Sequence, residues 1–250
     1  MTEHSKVVAI IQARMGSTRL PGKVLANVRG KPMLSYVIGR VRAAKTLKEI
    51  VVATTTKPGD DAIVAFCRER GVNCFRGSEE DVLDRYYQAA REHAAEAVVR
   101  ITSDCPLIDP EIVDKTVRAF LVEQPDYAPD YASNSLVRTY PRGLDTEVMT
   151  FRALEIAWRE ARRPYQRTHV TPYIYENPGR FKILSVTGDR DYSSYRWTVD
   201  TPEDLELVRA VYDRLEGDSF LLNDIVRLME REPELAEINR SIAQKALHEG

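Results

Sequence analysis

The chain has 250 residues, 43% of them hydrophobic and 30% charged, and a formal net charge of −2. Such a composition belongs to a soluble globular protein with a sizeable core, and its near-neutral balance excludes bulk attraction to nucleic acid or an anionic membrane. Cys67, Cys74 and Cys105 lack C-x-x-C spacing and form an odd set, which argues against both a zinc site and a disulfide framework.

Lys6 to Gln12 is a short β-branched run ending in a loop, which predicts a buried first strand. Val7 to Ile11 is far too short for a membrane span or a signal sequence, so a reducing, cytoplasmic setting is expected. Behind Pro32, Met33 to Leu47 reads as a helix, followed by a strand over Glu49 to Thr54. Asp60 to Arg70 places Ile63, Phe66 and Cys67 on one helical face, and Asn73 to Phe75 suits a short strand. A helix over Asp81 to His93 leads to a buried strand over Ala97 to Thr102. Val113, Val117, Phe120 and Leu121 then form a helical stripe within Glu111 to Leu121. Strand and helix alternate up to this point, which predicts an α/β fold with a mostly parallel sheet covered on both faces. Ligands on such sheets sit at the carboxyl ends of the strands.

From Gln124 to Trp197 the rhythm breaks, with six prolines from Pro125 to Pro178 and many tyrosines. This segment reads as a mixed α+β insertion lobe within a single domain spanning the chain, suited to substrate choice or dimerisation. Helices return afterwards, marked by Leu205, Val208, Val211, Tyr212 and Leu215.

Charge is distributed less evenly than its sum implies. From His4 through Lys48 there are ten Lys or Arg and no Asp or Glu. Arg14, Arg19, Lys23, Arg29 and Lys31 fall in or just after the glycine-containing loop of "IIQARMGSTRLPGKVL", residues 10–25. Backbone N–H groups of Ala13, Met15, Gly16, Ser17 and Thr18 can cradle an anion after a strand, and the cationic side chains add charge-assisted bonds. This is not a Walker loop. Five residues separate Gly16 from Gly22, and Val24 stands where the magnesium-binding hydroxyl belongs. A polyphosphate loop of this kind needs its metal held elsewhere.

Two aspartates fit that need. Asp104, in "RITSDCPLIDPEI", follows the predicted buried strand over Ala97 to Thr102, whereas nearby Asp109 reads as the N-cap of the next helix. In "RWTVDTPEDLE", Thr201 is the expected N-cap, Pro202 N1 and Asp204 N3, which leaves Asp200 outside the helix. Two loop carboxylates with phosphate oxygens and water describe a magnesium site. In "YPRGLDTEV", Asp145 and Glu147 alternate on a predicted strand and share a face suited to sugar hydroxyls, while Arg142 suits a carboxylate or phosphate. His169 has both a structural reading and a substrate-contacting one.

With these segments assembled, the chain resembles the cytidylyltransferase family that includes the spore-coat polysaccharide protein SpsF. More distantly it is similar to CMP-KDO synthetase and acylneuraminate cytidylyltransferase. "IIQARMGSTRLPGKVL", "FRGSEEDVLDRYYQAA", "RITSDCPLIDP", "PRGLDTEV", "THVTPYIYENP" and "TVDTPEDLE" carry the likeness from residue 10 to 206. The resemblance implies a Rossmann-like, three-layer nucleotidyltransferase fold related to GT-A glycosyltransferases. It also implies magnesium-dependent transfer of CMP from CTP to a sugar or sugar-like acid, with release of pyrophosphate, in surface-polysaccharide or glycan biosynthesis, by a homodimer.

Carried across, Arg14, Ser17, Arg19 and Lys23 match the triphosphate loop, with Gln12, Ala13 and Gly16 beside them. Asp104 and Asp200 match the two magnesium ligands, and Arg14, Lys23, Asp104 and Asp200 are the expected catalytic set. Arg85 resembles a nucleotide-side arginine of the KDO enzymes, although the Gly-Thr pair that accompanies it there is absent. Where those enzymes read Gln-Gly-Asp, this chain has Thr102-Ser103-Asp104, which keeps the metal ligand, puts Ser103 in the nucleotide set and argues against KDO as substrate. His169 joins Arg142, Asp145 and Glu147 as an acceptor contact on the resemblance alone. Two alternatives stand beside this reading. One is a GT-A glycosyltransferase using a nucleotide-sugar, although Ser103-Asp104-Cys105 lacks the usual Asp-x-Asp. The other is a nucleotidyltransferase with a different nucleoside triphosphate, or with a phosphate or phosphonate acceptor.

Overall fold

The computed structural model describes residues 5–121 and 128–244. In chain order, β1 (Val7–Gln12) is followed by the small hairpin β2 (Asn27–Val28) and β3 (Lys31–Pro32), then α1 (Met33–Arg42), β4 (Glu49–Thr55), α2 (Asp61–Glu69) and β5 (Asn73–Gly77). Next come α3 (Val82–Glu92), β6 (Ala97–Thr102), α4 (Pro110–Leu121), β7 (Tyr131–Ser133), β8 (Glu147–Thr150), α5 (Phe151–Glu160), α6 (Pro164–His169) and α7 (Pro172–Tyr175). The chain closes with β9 (Ile183–Ser185), α8 (Pro202–Arg214), α9 (Leu222–Arg231) and α10 (Glu234–Glu237).

Seven strands form one sheet in the order β5-β4-β1-β6-β8-β7-β9. The β5, β4, β1 and β6 strands are mutually parallel, and β8 is antiparallel to both β6 and β7. Because side chains alternate along β1, the strand feeds two cores. Val7, Ala9 and Ile11 meet α1, α2 and α4 through Leu34, Val37, Ile63, Phe66, Val113 and Val117. Val8 and Ile10 meet α3, α5 and α7 through Leu83, Tyr86, Leu154 and Ile174. The result is the three-layer arrangement expected from the alternating pattern. A third cluster packs α8 and α9 against Met33, Tyr36 and Trp197.

Two expectations need adjusting. The first helix ends at Arg42 rather than Leu47, because Asp114 of α4 captures the backbone amides of Lys45 and Thr46 at 3.1 and 2.9 Å. A side chain distant in sequence thereby outcompetes continued helix, which local pattern cannot show. The mixed segment that begins at Gln124 enters the description at residue 128; residues 124–127 lie outside the described residues. From there its three short strands extend the central sheet. Among the described residues no helix is long and apolar enough to cross a membrane.

Candidate active site

The strand register fixes where the first loop and Asp104 meet. Gln12 pairs with Thr102 at the carboxyl ends of adjacent strands, and the Ser103 amide donates to the Gln12 carbonyl at 3.1 Å. The loop 13–22 and the turn carrying Asp104 therefore leave the sheet side by side. Asp200 arrives from far along the chain. The Val199 amide donates to the Asp104 carbonyl at 2.8 Å, and Thr198 Oγ1 to the same oxygen at 3.3 Å. Gly143 makes room for this approach. It has φ +102°, and a Cβ there would lie 2.6 Å from the backbone of Trp197 and Thr198. Only glycine lets the chain at Arg142 run against the segment that delivers Asp200, where the Trp197 amide donates to the Arg142 carbonyl at 2.7 Å.

Lys23 closes the constellation. Gly22 adopts φ +72° and starts a one-turn helix over Lys23–Leu25. The Lys23 ammonium donates to Asp200 Oδ1 at 2.9 Å, Asp104 Oδ2 at 3.3 Å and the Val199 carbonyl at 2.6 Å. Burial alone would lower the Lys23 pKa, but the two carboxylates outweigh it and hold the pKa above the ordinary lysine value. Asp200 shows the mirror effect: burial would raise its pKa, yet Lys23, then Arg19 and Arg196, hold it below the usual carboxylate range. Arg19 and Arg196 each reach Asp200 Oδ2 at 2.9 Å.

The other predicted loop residues divide by how their polar groups are used. Three of the five amides expected to cradle an anion are already committed: Ala13 to the Ala53 carbonyl, Met15 to Asp60, and Ser17 to the Met15 carbonyl. Two of these tie the loop to β4 and the connection after it, and one closes the loop on itself. Among the described residues, those of Gly16 and Thr18 are not so used. Arg14 is half-exposed and 4.0 Å from Glu79. Arg85 is buried, donates to the Ser78 carbonyl at 3.0 Å, and has a buried Nε without a partner among the described residues, as has Gln12 Oε1. Desolvation holds the Arg85 pKa below its ordinary value.

On the acceptor side, Asp145 and Glu147 do not share a strand face. β8 begins at Glu147, and Asp145 lies ahead of it in a bidentate pair with Arg138 at 2.5 and 3.1 Å. Glu147 is buried, ion-paired to Arg100 directly across the β6–β8 ladder, and accepts from Tyr131 at 2.5 Å and Thr171 at 2.6 Å. Its oxygens are thus engaged inside the fold, and its role there is structural. Replacing Glu147 with alanine is expected to strand a buried Arg100 and cost about 3–5 kcal/mol, read as a fall of roughly 10 °C in the thermal midpoint.

Arg142 is half-buried, and burial followed by the like charge of Arg138 holds its pKa below normal, an environment that an anion relieves. His169 ends α6 and precedes Val170, whose φ of 73° and ψ of −55° are strained for a β-branched residue. The Thr171 amide bonds the His169 carbonyl at 2.9 Å across that turn, and Val170 is completely buried, so packing holds the strain.

Reading the sequence missed Asp60, Arg138 and Arg196. Arg196 is held by Asp204 at 2.9 and 3.1 Å, and Asp204 also caps α8 as expected, accepting from the amides of Asp200 and Thr201. Asp109 likewise caps α4 through the Glu111 amide at 2.7 Å.

Comparison with known proteins converges on one group. A family model described as cytidylyltransferase matches residues 8–232. The chain is 34% identical over 238 residues to the spore coat polysaccharide biosynthesis protein SpsF of Bacillus subtilis, covering 92% of this chain and 96% of that one. It superposes with a TM-score of 0.90 on the structure of a cytidylyltransferase from Leptospira borgpetersenii serovar Hardjo-bovis, at 36% identity over 96% of this chain and all of that one. The fold also matches a CMP:2-keto-3-deoxy-manno-octonic acid synthetase complexed with CTP, with a TM-score of 0.64 and 23% identity over 84% of this chain and 99% of that one.

Proposed function

The chain belongs to the cytidylyltransferase family, and from that premise we propose that it transfers CMP from CTP to a sugar or sugar-like acid, releasing pyrophosphate, in the synthesis of a surface polysaccharide or related glycan. The observation that carries the reading is the convergence of Lys23, Asp104 and Asp200 at the carboxyl ends of β1 and β6.

Among the described residues, no group of three or more His, Cys, Asp or Glu side chains assembles into a metal centre. The donor set around the Lys23 ammonium is instead two carboxylates and the Val199 carbonyl, all hard oxygens converging on one cation. That set fits magnesium, which takes one or two carboxylates and completes its shell with water and phosphate oxygens. Asp104 and Asp200 are the residues to hold it, and the ion supplies Lewis-acid charge at the reacting phosphate.

The rest is the work of the chain itself. The reaction is an in-line attack by an acceptor oxygen on the α-phosphorus, with the bond to the pyrophosphate breaking. Catalysis of this kind is mostly positioning and charge stabilisation. Lys23, fully protonated, and Arg19 offer fixed positive charge to the triphosphate and the departing pyrophosphate. Arg14, half-exposed and loosely paired, is free to swing onto the same phosphates. Gln12 and Arg85, each with a buried polar atom left over, face the nucleoside. Arg142, with Arg138 behind it, receives the acceptor's carboxylate or phosphate, and His169 contacts the same molecule.

A pyrophosphate-release screen tests this reading. Four nucleoside triphosphates are offered with a panel of sugar acids and phosphorylated acceptors, with and without magnesium. Release is expected only with CTP, magnesium and an anionic acceptor together; equal release with every triphosphate, or without a divalent ion, overturns it.

A further inference from the structure

Asp60 lies in the connection between β4 and α2, at the end of a single helical turn over Pro58–Asp60. Only 3% of its surface is exposed. Its oxygens divide their work: Oδ1 accepts the Met15 amide at 2.7 Å, while Oδ2 accepts the Thr55 amide at 3.2 Å and the Thr55 hydroxyl. Thr55 is the last residue of β4, the strand beside β1. One carboxylate therefore ties the end of a core strand to the interior of the loop that follows the neighbouring strand.

Met15 is the hub of that loop. Its carbonyl accepts the amides of Ser17 and Gly22, both at 2.9 Å, so the outgoing and returning arms hang from one peptide. Gly22 then turns through φ +72° and hands the chain to Lys23. The path from Asp60 to the Lys23 turn is two hydrogen bonds long, through Met15.

A buried anion beneath an anion-receiving loop is electrostatically unfavourable unless it does something a neutral residue cannot. Burial pushes the Asp60 carboxyl up, but the bonds from Met15 and Thr55 outweigh this and hold its pKa below the usual carboxylate range. The Met15 amide is thus held by an ionised acceptor, a bond roughly twice as strong as a neutral one. Glu79 lies beside the same loop, 4.0 Å from Arg14, and pairs with Lys57. Among the described residues, Asp60 is the side chain hydrogen-bonded to the hub.

We propose that Asp60 is a positioning residue of the triphosphate loop, fixing Met15 so that the Gly22–Lys23 turn delivers the Lys23 ammonium to Asp104 and Asp200. The role rests on the reading of this loop as the triphosphate site.

Three variants test it in the full chain. Asp60→Ala removes every acceptor, and Asp60→Asn keeps one for the Met15 amide. Asp61→Asn is the control, since Asp61 is exposed and, among the described residues, its carboxylate pairs with Arg76 alone, at 2.7 Å. Amide hydrogen exchange over residues 13–25 is measured alongside kcat and KM for CTP. In Asp60→Ala the Ser17 and Gly22 amides are expected to exchange at least an order of magnitude faster while those of β1 and β6 keep their protection. A fall in kcat of ~10²-fold accompanies this, as expected when a catalytic group drifts by about an ångström. Asp60→Asn falls between Asp60→Ala and the parent, and Asp61→Asn matches the parent. Should Asp60→Ala fail to fold, Asp60→Asn carries the same comparison. Wild-type exchange in a folded Asp60 variant overturns the positioning role, whatever happens to activity. Faster exchange with kcat and KM unchanged overturns instead the assignment of the loop to the nucleotide, and the role of Asp60 with it.

Discussion

Replacing Lys23 with alanine is expected to lower kcat for CTP-dependent pyrophosphate release by ~10²–10³-fold, the range for removing one preorganised charge from a partly desolvated site. The geometry explains why the loss falls on kcat. The ammonium is already held at the site by three oxygens, so once the ligand's own cation takes over the carboxylates its charge stands ready when negative charge grows on the leaving group. Arginine is not expected to rescue the variant, because a planar guanidinium cannot place one compact charge among Asp104, Asp200 and the Val199 carbonyl. The fold survives the change, since Asp200 keeps Arg19 and Arg196. Steady-state kinetics decide the matter. A higher KM with unchanged kcat means Lys23 binds substrate and transition state alike, and the assignment of transition-state charge to it fails.

Asp200→Asn is expected to cost about 10³-fold in kcat with a modest change in thermal midpoint, whereas Asp204→Asn does the reverse. Three cations, Lys23, Arg19 and Arg196, converge on the Asp200 carboxylate. The amide of asparagine offers a single acceptor and a donor facing cations, which disperses this set and removes one of the two carboxylates proposed to hold magnesium. Asp204 has no surface exposed and serves Arg196, Asn239, the α8 cap and the Asp200 amide. Asparagine keeps one oxygen for the Asp200 and Thr201 amides, so losing the charge loosens the C-terminal packing more than it moves the reacting groups. Kinetics and thermal melts run on both variants separate the roles. Equal losses of stability with equal losses of turnover refute the division.

The parts of this molecule legible in its sequence are those set by local rules. The β-branched runs of β1, β4 and β6, the Asp109 and Thr201 caps, and the stripe on α4 depend on periodicity and capping within a few residues, and the structure repeats them. Lys23, Asp104 and Asp200 were legible as candidates because their neighbours offered no local use for them. What escaped depends on partners remote in sequence. Asp60 sits in Lys-Pro-Gly-Asp-Asp, which reads as an ordinary helix start, and its bond to Met15 spans 45 residues. The early end of α1 depends on Asp114, 68 residues from Thr46. Asp145 and Glu147 look equivalent by alternation, but alternation holds only inside a strand, and β8 starts after Asp145. A polar residue at the first strand position was also open to a buried partner, here Arg100, whose own strand pattern gave no warning.

The interlocked charges around Asp200 bear on what can compete for this site. Every cation there already has a carboxylate, so the site does not present a bare positive surface to the medium. An incoming sulfate or inorganic phosphate gains Lys23 or Arg19 only by taking it from Asp104 or Asp200, and the abandoned carboxylate then stands beside the newcomer. A ligand that brings its own cation settles both accounts at once, giving the ammonium an anion and the carboxylates a replacement counter-ion. On the proposed function, the mutual neutralisation of the site's own side chains therefore disfavours simple anions relative to a nucleotide that carries its own cation.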